Sequence, residues 1–237
     1  MRRIVLIGLI LVLLLVACGG NDNKETSLDQ IVPNLTPREI IDTASPKLDE
    51  VESFHFELSQ EGGGTPIAMG LEMTGVKGDI EPPDKLKMEI EAKWVGQFME
   101  AELVTVGTIT YMTNPLTGKW ELLGEDFNAV TLFQPSTGIK AVMESLTDLA
   151  MLEAETVDKV LCFHLKGMIV SEVLDAIAVG HAAEGLIVKT DIWIGIDDFI
   201  FRKVVFDGRI CKDENEGIVR VLALSKINEP VIIELPE

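Results

Sequence analysis

Phe54-His55-Phe56-Glu57-Leu58-Ser59 alternates apolar with polar side chains at every step. Successive side chains of an extended chain point to opposite faces, so this segment reads as a half-buried strand. The same period of two returns in Leu71 and Met73. It returns again where Leu86, Met88 and Ile90 alternate with Lys87, Glu89 and Glu91, and where Met99, Ala101 and Leu103 alternate with Glu100 and Glu102. Gly62-Gly63-Gly64, Pro82-Pro83-Asp84 and Asn114-Pro115-Leu116-Thr117-Gly118 supply turns between these runs. Strands with one apolar and one charged face predict an antiparallel sheet that is wet on one side.

Upstream of this sheet the pattern is helical. Thr36-Pro37-Arg38-Glu39 offers an N-cap, a proline at the first helical position and a glutamate three residues after the cap. Ile40, Ile41, Ala44, Leu48 and Val51 follow as an approximate stripe, and Pro46 is expected to end or kink the helix early. Downstream, Ile139, Val142, Met143 and Leu146 recur at helical spacing, and so do Val170, Val173, Leu174 and Ile177. Leu152 to Leu165 reads as two strands. Leu186–Ile196, Phe199–Phe206, Ile218–Leu224 and Val231–Leu235 read as four more. Several of the later strands, such as Ile192-Trp193-Ile194, are apolar on both faces and need cover on both sides. The expected class is α+β, a strongly curved antiparallel sheet with a few helices on its concave face.

The first residues belong to a different category. Met1-Arg2-Arg3 precedes an apolar run of 13 residues, Ile4 to Val16, followed by Ala17 and Cys18. A spanning helix needs about 20 apolar residues, so the run reads as an export signal rather than a permanent membrane helix. Leu15-Val16-Ala17-Cys18 resembles the lipobox of bacterial lipoproteins, in which the cysteine thiol receives a diacylglyceryl group before cleavage. That resemblance makes residues 1–17 a signal peptide and Cys18 the lipidation site. Cys18 then ties the protein to the lipid bilayer of the cell membrane, on its extracytoplasmic face. Residues 18–35 are polar and aperiodic, a flexible tether, and residues 36–237 form a single domain.

Charge and chemistry narrow the function further. The full chain carries a net charge of −19, and loss of Arg2 and Arg3 with the signal takes it to −21. Nucleic acid is excluded as a partner, since phosphate neutralisation needs clustered Lys and Arg, and so is attachment to anionic lipid by a basic patch. His55, His164 and His181 show no metal-ligand spacing, and no Gly-x-Ser-x-Gly turn occurs. Asp197-Asp198 reads as a turn and Asp213 to Gly217 as a solvated hairpin end. Neither an enzyme nor a bound cofactor or metal is expected. Cys162 and Cys211 can pair in an exported protein or serve as plain core residues. Met69, Met73, Met88, Met99, Met143, Met151 and Met168 suit an ordinary core better than an adaptable cavity lining by composition, an order that the family resemblance given below reverses.

The lipobox and the helix ending just before the Phe54-His55-Phe56 strand combine with three later segments. These are Phe133-Gln134-Pro135-Ser136-Thr137-Gly138-Ile139, Asp191-Ile192-Trp193-Ile194-Gly195-Ile196-Asp197 and Val231-Ile232-Ile233-Glu234-Leu235-Pro236. Together they resemble the LppX/LprG (LppX_LprAFG) family of bacterial lipoproteins. The resemblance implies a LolA/LolB-like half-barrel closed by helices over a hydrophobic cavity. It also implies binding of acylated lipids or glycolipids carried within the cell envelope, with a membrane transporter as a possible partner. The expected cavity lining is Leu71, Met73, Met88, Ile90 and Leu103 from the sheet. Ile139, Val142, Met143, Leu146, Val173, Leu174 and Ile177 are expected to line it from the helices. The rival reading is a structural or partner-docking lipoprotein with a filled core and no lipid cargo. A transport solute-binding protein fits less well, because the chain lacks an alternating strand–helix rhythm.

Overall fold

The computed structural model describes residues 34–67, 70–123, 130 and 138–236. Residues 34–237 make one compact unit. It opens with helix α1, Pro37–Ala44, whose first turn is closed by a capping box. The Thr36 N–H donates to the Glu39 carboxylate at 2.8 Å, and the Glu39 N–H donates back to Thr36 Oγ1 at 3.3 Å. The Thr36 N–H bond, with a second from the Thr36 hydroxyl at 2.7 Å, holds the Glu39 carboxyl below the usual carboxylate range. Ile40, Ile41 and Ala44 are buried together. Pro46 then does what its missing N–H requires, and the chain tightens into a 3₁₀ turn over Ser45–Glu50.

Thirteen strands follow. They are β1 (Phe54–Glu61), β2 (Thr65–Pro66), β3 (Leu71–Glu81), β4 (Lys85–Trp94), β5 (Gln97–Val106), β6 (Ile109–Thr113) and β7 (Trp120–Leu122), then β8 (Thr147–Met151), β9 (Glu155–Val157), β10 (Val160–Val170), β11 (Ile187–Gly195), β12 (Phe201–Asp207) and β13 (Val219–Ser225). Helix α2, Ile139–Ser145, stands between β7 and β8. All pairings are antiparallel, in the order β7-β6-β5-β4-β3-β1-β13-β12-β11-β10-β8, with β2 on β3 and β9 on β10. The sheet is open and curved. Two meanders, β3–β7 and β10–β13, are joined through β1, which pairs with β3 and, from His55↔Ser225 to Glu61↔Val219, with β13.

Register carries the two-faced pattern from strand to strand. Phe56 lies opposite Gly78 and Leu224, Leu58 opposite Val76 and Leu222, and Val76 in turn opposite Ile90. One bulge preserves this. Met73 pairs with Ala92 and Gly75 with Glu91, so Thr74 is the extra residue that returns Met73 to the face of Val76.

The loop between β12 and β13 departs from the sequence expectation. Asp213 to Gly217 was read as solvated, yet Glu214 is buried and paired with Arg220, whose side chain is fully enclosed. Glu214 also accepts the Ile210 and Cys211 N–H groups at 2.7 and 2.9 Å, and Arg220 reaches Thr65 Oγ1 at 3.1 Å. Arg220 sits inward because its register partners are Gln60 and Phe206. Beside it, the loop carrying Gly62 approaches so closely that a Cβ there would meet the Gly217 carbonyl at 2.3 Å. Its φ of +79° also favours glycine.

Two further segments differ from expectation. Residues 170–177 are not one helix. Val170 closes β10 opposite Ile187, 42% exposed, and Ser171–Leu174 is a 3₁₀ turn. Pairing along the whole of β10 outcompetes the helical stripe, and Ser171 Oγ secures the exit by bonding the Ala183 carbonyl and the Leu186 N–H. Val231–Leu235 joins no strand. Both edges of β13 are occupied, by β1 and β12, and Pro230 brings no N–H. The alternation still shows in burial, with Ile233 buried and Ile232 83% exposed.

Cys162 and Cys211 are both buried and not bonded to each other. Burial raises both thiols, Cys211 to about 12 with the Glu214 carboxylate adding to the effect. In a chain carrying Cys18→Ser, a thiol reagent at pH 8 is therefore expected to label neither cysteine until denaturant is added. Rapid stoichiometric labelling of the native protein would contradict this. Glu214→Ala strands a buried guanidinium and two backbone donors, and is expected to cost about 3–5 kcal/mol in urea unfolding. An Arg220→Met, Glu214→Leu double variant should lose clearly less than the two single changes added together.

Candidate functional site

The inner face of β3, β4 and β5 is a continuous apolar surface. Its rows are Met88 beside Leu103, Val76–Ile90–Ala101, Met73–Ala92–Met99 and Leu71 beside Trp94. No charged side chain lies on these rows. The opposite face of the same strands carries Lys77, Asp79, Lys87, Glu89, Glu91, Glu100 and Glu102. On that wet face Lys77 pairs with Glu89 at 2.9 Å, and this bond is the main cause of its raised pKa.

Packing changes along the apolar face. Ile80, Leu86 and Leu103 have no accessible surface, and Met88 is buried. Toward the β4–β5 turn, Leu71, Val76, Ile90, Met99 and Ala101 are only half-buried and Trp94 at the end is exposed, while Met73 and Ala92 among them are buried. The face is thus an unevenly covered apolar trough with Trp94 exposed at its turn end.

The helical layer forms a second group. Val142, Met143, Leu146 and Leu174 are buried, while Ile139, Val173 and Ile177 are half-buried. The principal neighbours of α2 are α1 and the two 3₁₀ turns. Lys140 Nζ pairs with Asp49 at 2.7 Å, the Arg38 guanidinium donates to the Glu144 and Leu146 carbonyls, and Ser45 donates to the Glu144 carboxylate. The residues expected from sequence therefore fall into two sets. Leu71, Met73, Met88, Ile90 and Leu103 share the sheet face, and Ile139, Val142, Met143, Leu146, Val173, Leu174 and Ile177 share the helical layer. Cys18, Met69 and residues 133–137 lie outside the described residues.

Sequence reading passed over three features. One is the Glu214–Arg220 pair. Another is the exposed β4–β5 turn, where Trp94-Val95-Gly96-Gln97-Phe98 interrupts charged strands with an uncharged run. The third lies on the outer face of β10–β12. The His164 ring stacks on Trp193 with centroids 4.2 Å apart, Lys203 sits over the same indole, and His164 meets Asp191 at 2.7 Å. The indole N–H donates to Glu155 at 3.0 Å, so this cluster pins the short strand β9 against its neighbours. Among the described residues no group of three or more His, Cys, Asp or Glu side chains is arranged to hold a metal, and no helix is long and apolar enough to cross a membrane.

Known proteins match this architecture. LprF from Mycobacterium bovis superposes with a TM-score of 0.67 at 16% identity, over 86% of this chain and 99% of LprF. LppX from Mycobacterium tuberculosis gives 0.57 at 16% identity, over 84% of this chain and all of LppX. At such identities the likeness establishes the fold. No curated protein sequence matches the chain. The model of the LppX_LprAFG lipoprotein family matches residues 36–233, nearly the whole compact unit. The chain belongs to the LppX_LprAFG lipoprotein family.

Proposed function

We propose that this protein is a membrane-anchored carrier that binds the acyl chains of a lipid or glycolipid and moves them within the cell envelope. The observation that carries the reading is the trough, an uncharged face of β3–β5 on which Leu71, Val76, Ile90, Met99 and Ala101 stay half-buried beside packed neighbours. Leu71, Val76, Ile90, Met99 and Ala101 keep accessible surface and are the residues that meet the cargo. The half-buried Ile139, Val173 and Ile177 offer a second apolar surface in the helical layer. The packed Leu103, Met143 and Leu174 form the walls.

Energetics suit a carrier. Each methylene withdrawn from water contributes about 0.8 kcal/mol, but a lipid in a bilayer is already out of water. The trough therefore needs only to match the bilayer, and exchange in either direction stays close to balance. Anchoring uses the same term in excess, since two or three chains on Cys18 hold the protein on the membrane far more firmly than one.

The fully packed Leu103, Met143 and Leu174 favour a second reading, a partner-docking lipoprotein with a filled interior and no cargo. Ala101→Trp separates the two. In a carrier the indole occupies the trough, so copurifying lipid is lost while urea stability barely changes. In a filled core the same change costs about 1–3 kcal/mol.

Native mass spectrometry of the unacylated chain is expected to show a bound lipid that organic solvent extracts. Protein that is lipid-free from every expression host would contradict the carrier reading. For the anchor, labelled palmitate should be incorporated by the natural chain and not by Cys18→Ala. Label retained in the variant would remove Cys18 from its role.

A further inference from the structure

The β4–β5 hairpin ends in a two-residue turn, Val95-Gly96, with φ of 50° and 80°. Turns with both residues left-handed are normally made by Asn-Gly or Asp-Gly, because a β-branched side chain is sterically disfavoured there. This chain places valine in that position and leaves it 87% exposed. Trp94 and Phe98 flank it at 45% and 76% exposure. A local rule is broken to project apolar groups into solvent, with no gain in packing. Such conflicts belong to working surfaces rather than to scaffolds.

We infer that this tip seats in the interfacial layer of a lipid bilayer whose headgroups carry no net charge. Three observations select that partner. Trp and Phe with one adjacent cation is the side-chain set that rests at headgroup depth, and Lys93 Nζ lies 5.0 Å from the centre of the Phe98 ring, able to reach back toward water. A protruding tip of three apolar side chains is far smaller than the interface a stable protein complex buries, but it suffices where an anchor already supplies proximity. A chain of net charge −19 is repelled by anionic headgroups, so the contact is apolar rather than electrostatic. The position also fits. Trp94 lies opposite Leu71 at the turn end of the trough, so a seated tip brings that end to the bilayer surface. This last consequence rests on the proposed carrier function; the membrane contact itself does not.

The test uses phosphatidylcholine vesicles. With the acylated full chain and brominated acyl chains in the bilayer, tryptophan emission is expected to be quenched, and Trp94→Phe should abolish most of that quenching. Equal quenching in Trp94→Phe, or none in the natural chain, would overturn the inference. With residues 18–237 carrying Cys18→Ser, flotation should recover the protein with vesicles, and Val95→Asp or Phe98→Asp should lower recovery at least fivefold. Flotation only with anionic phosphatidylglycerol, or recovery unchanged by both substitutions, would also overturn it. Val95→Asn relieves the left-handed valine, so it should raise the melting temperature by a few degrees while weakening flotation. A gain in stability without loss of flotation would count against the inference. Lipid copurification is measured on the same variants. Val95→Asp that keeps its lipid but loses flotation supports the docking tip, whereas lipid-free protein that still floats refutes the cargo and leaves the tip standing.

Discussion

Antiparallel pairing between β1 and β13 is the constraint on which the rest depends. It joins residues about 165 positions apart and converts two hairpin meanders into one curved sheet. Loop-closure entropy makes so distant a pairing expensive, so its rows must be well packed to hold. They are. Phe56, Leu58, Leu222 and Leu224 are buried along the seam. At its far end Arg220, Glu214 and Thr65 bind the flanking loops to the strands, and Asn215 donates to the Gly62 carbonyl. A buried ion pair adds little stability over an apolar substitute, but it penalises any register that would leave either charge alone. Here it sits where register matters most.

Where the inner face carries only apolar side chains, as on β3–β5, it has to be hidden from water. At the β10 side, α1 packs on β8 and the Ser171–Leu174 turn packs on β10. At the β3–β5 side the cover is uneven, half-buried Val76, Ile90 and Ala101 lying between packed Met88 and Leu103 on one side and buried Met73 and Ala92 on the other, with Trp94 exposed at the turn. The same segregation of charge that lets the wet face carry Lys77, Glu89 and Glu91 leaves the other face with nothing to offer but hydrocarbon. A site of that kind gains its affinity from area and its selectivity from shape. A carrier of the kind proposed would accept a class of ligands rather than one molecule.

Much of this was legible in the sequence, because period is a local property. The alternation at Phe54–Ser59 and Leu86–Glu91 gave the strands and their inward residues, and Thr36-Pro37-Arg38-Glu39 gave the capped start of α1. Ile139, Val142, Met143 and Leu146 gave α2. What escaped depends on distant partners. Val170 falls on a helical stripe with Val173 and Leu174, yet the edge of β11 decides its conformation. Val231–Leu235 has a strand's composition, but a strand needs a free edge and β13 has none. Glu214 reads as solvated because nothing in Asp213–Gly217 reveals that Arg220 turns inward by its register with Gln60. The polarity of the trough could be read from Leu71, Met73, Met88, Ile90 and Leu103. Its exposure is a matter of what covers it, which no periodicity encodes.

The central claim is that the interior between sheet and helices holds another molecule's hydrocarbon. A crystal structure of the unacylated protein, purified without detergent and solved at a resolution that shows acyl chains, addresses it most directly. The account predicts continuous tubular density along Leu71, Ile90, Met99 and Ala101 that no protein atom explains. An interior filled to ordinary packing density by the chain's own side chains, with no such density, would contradict it.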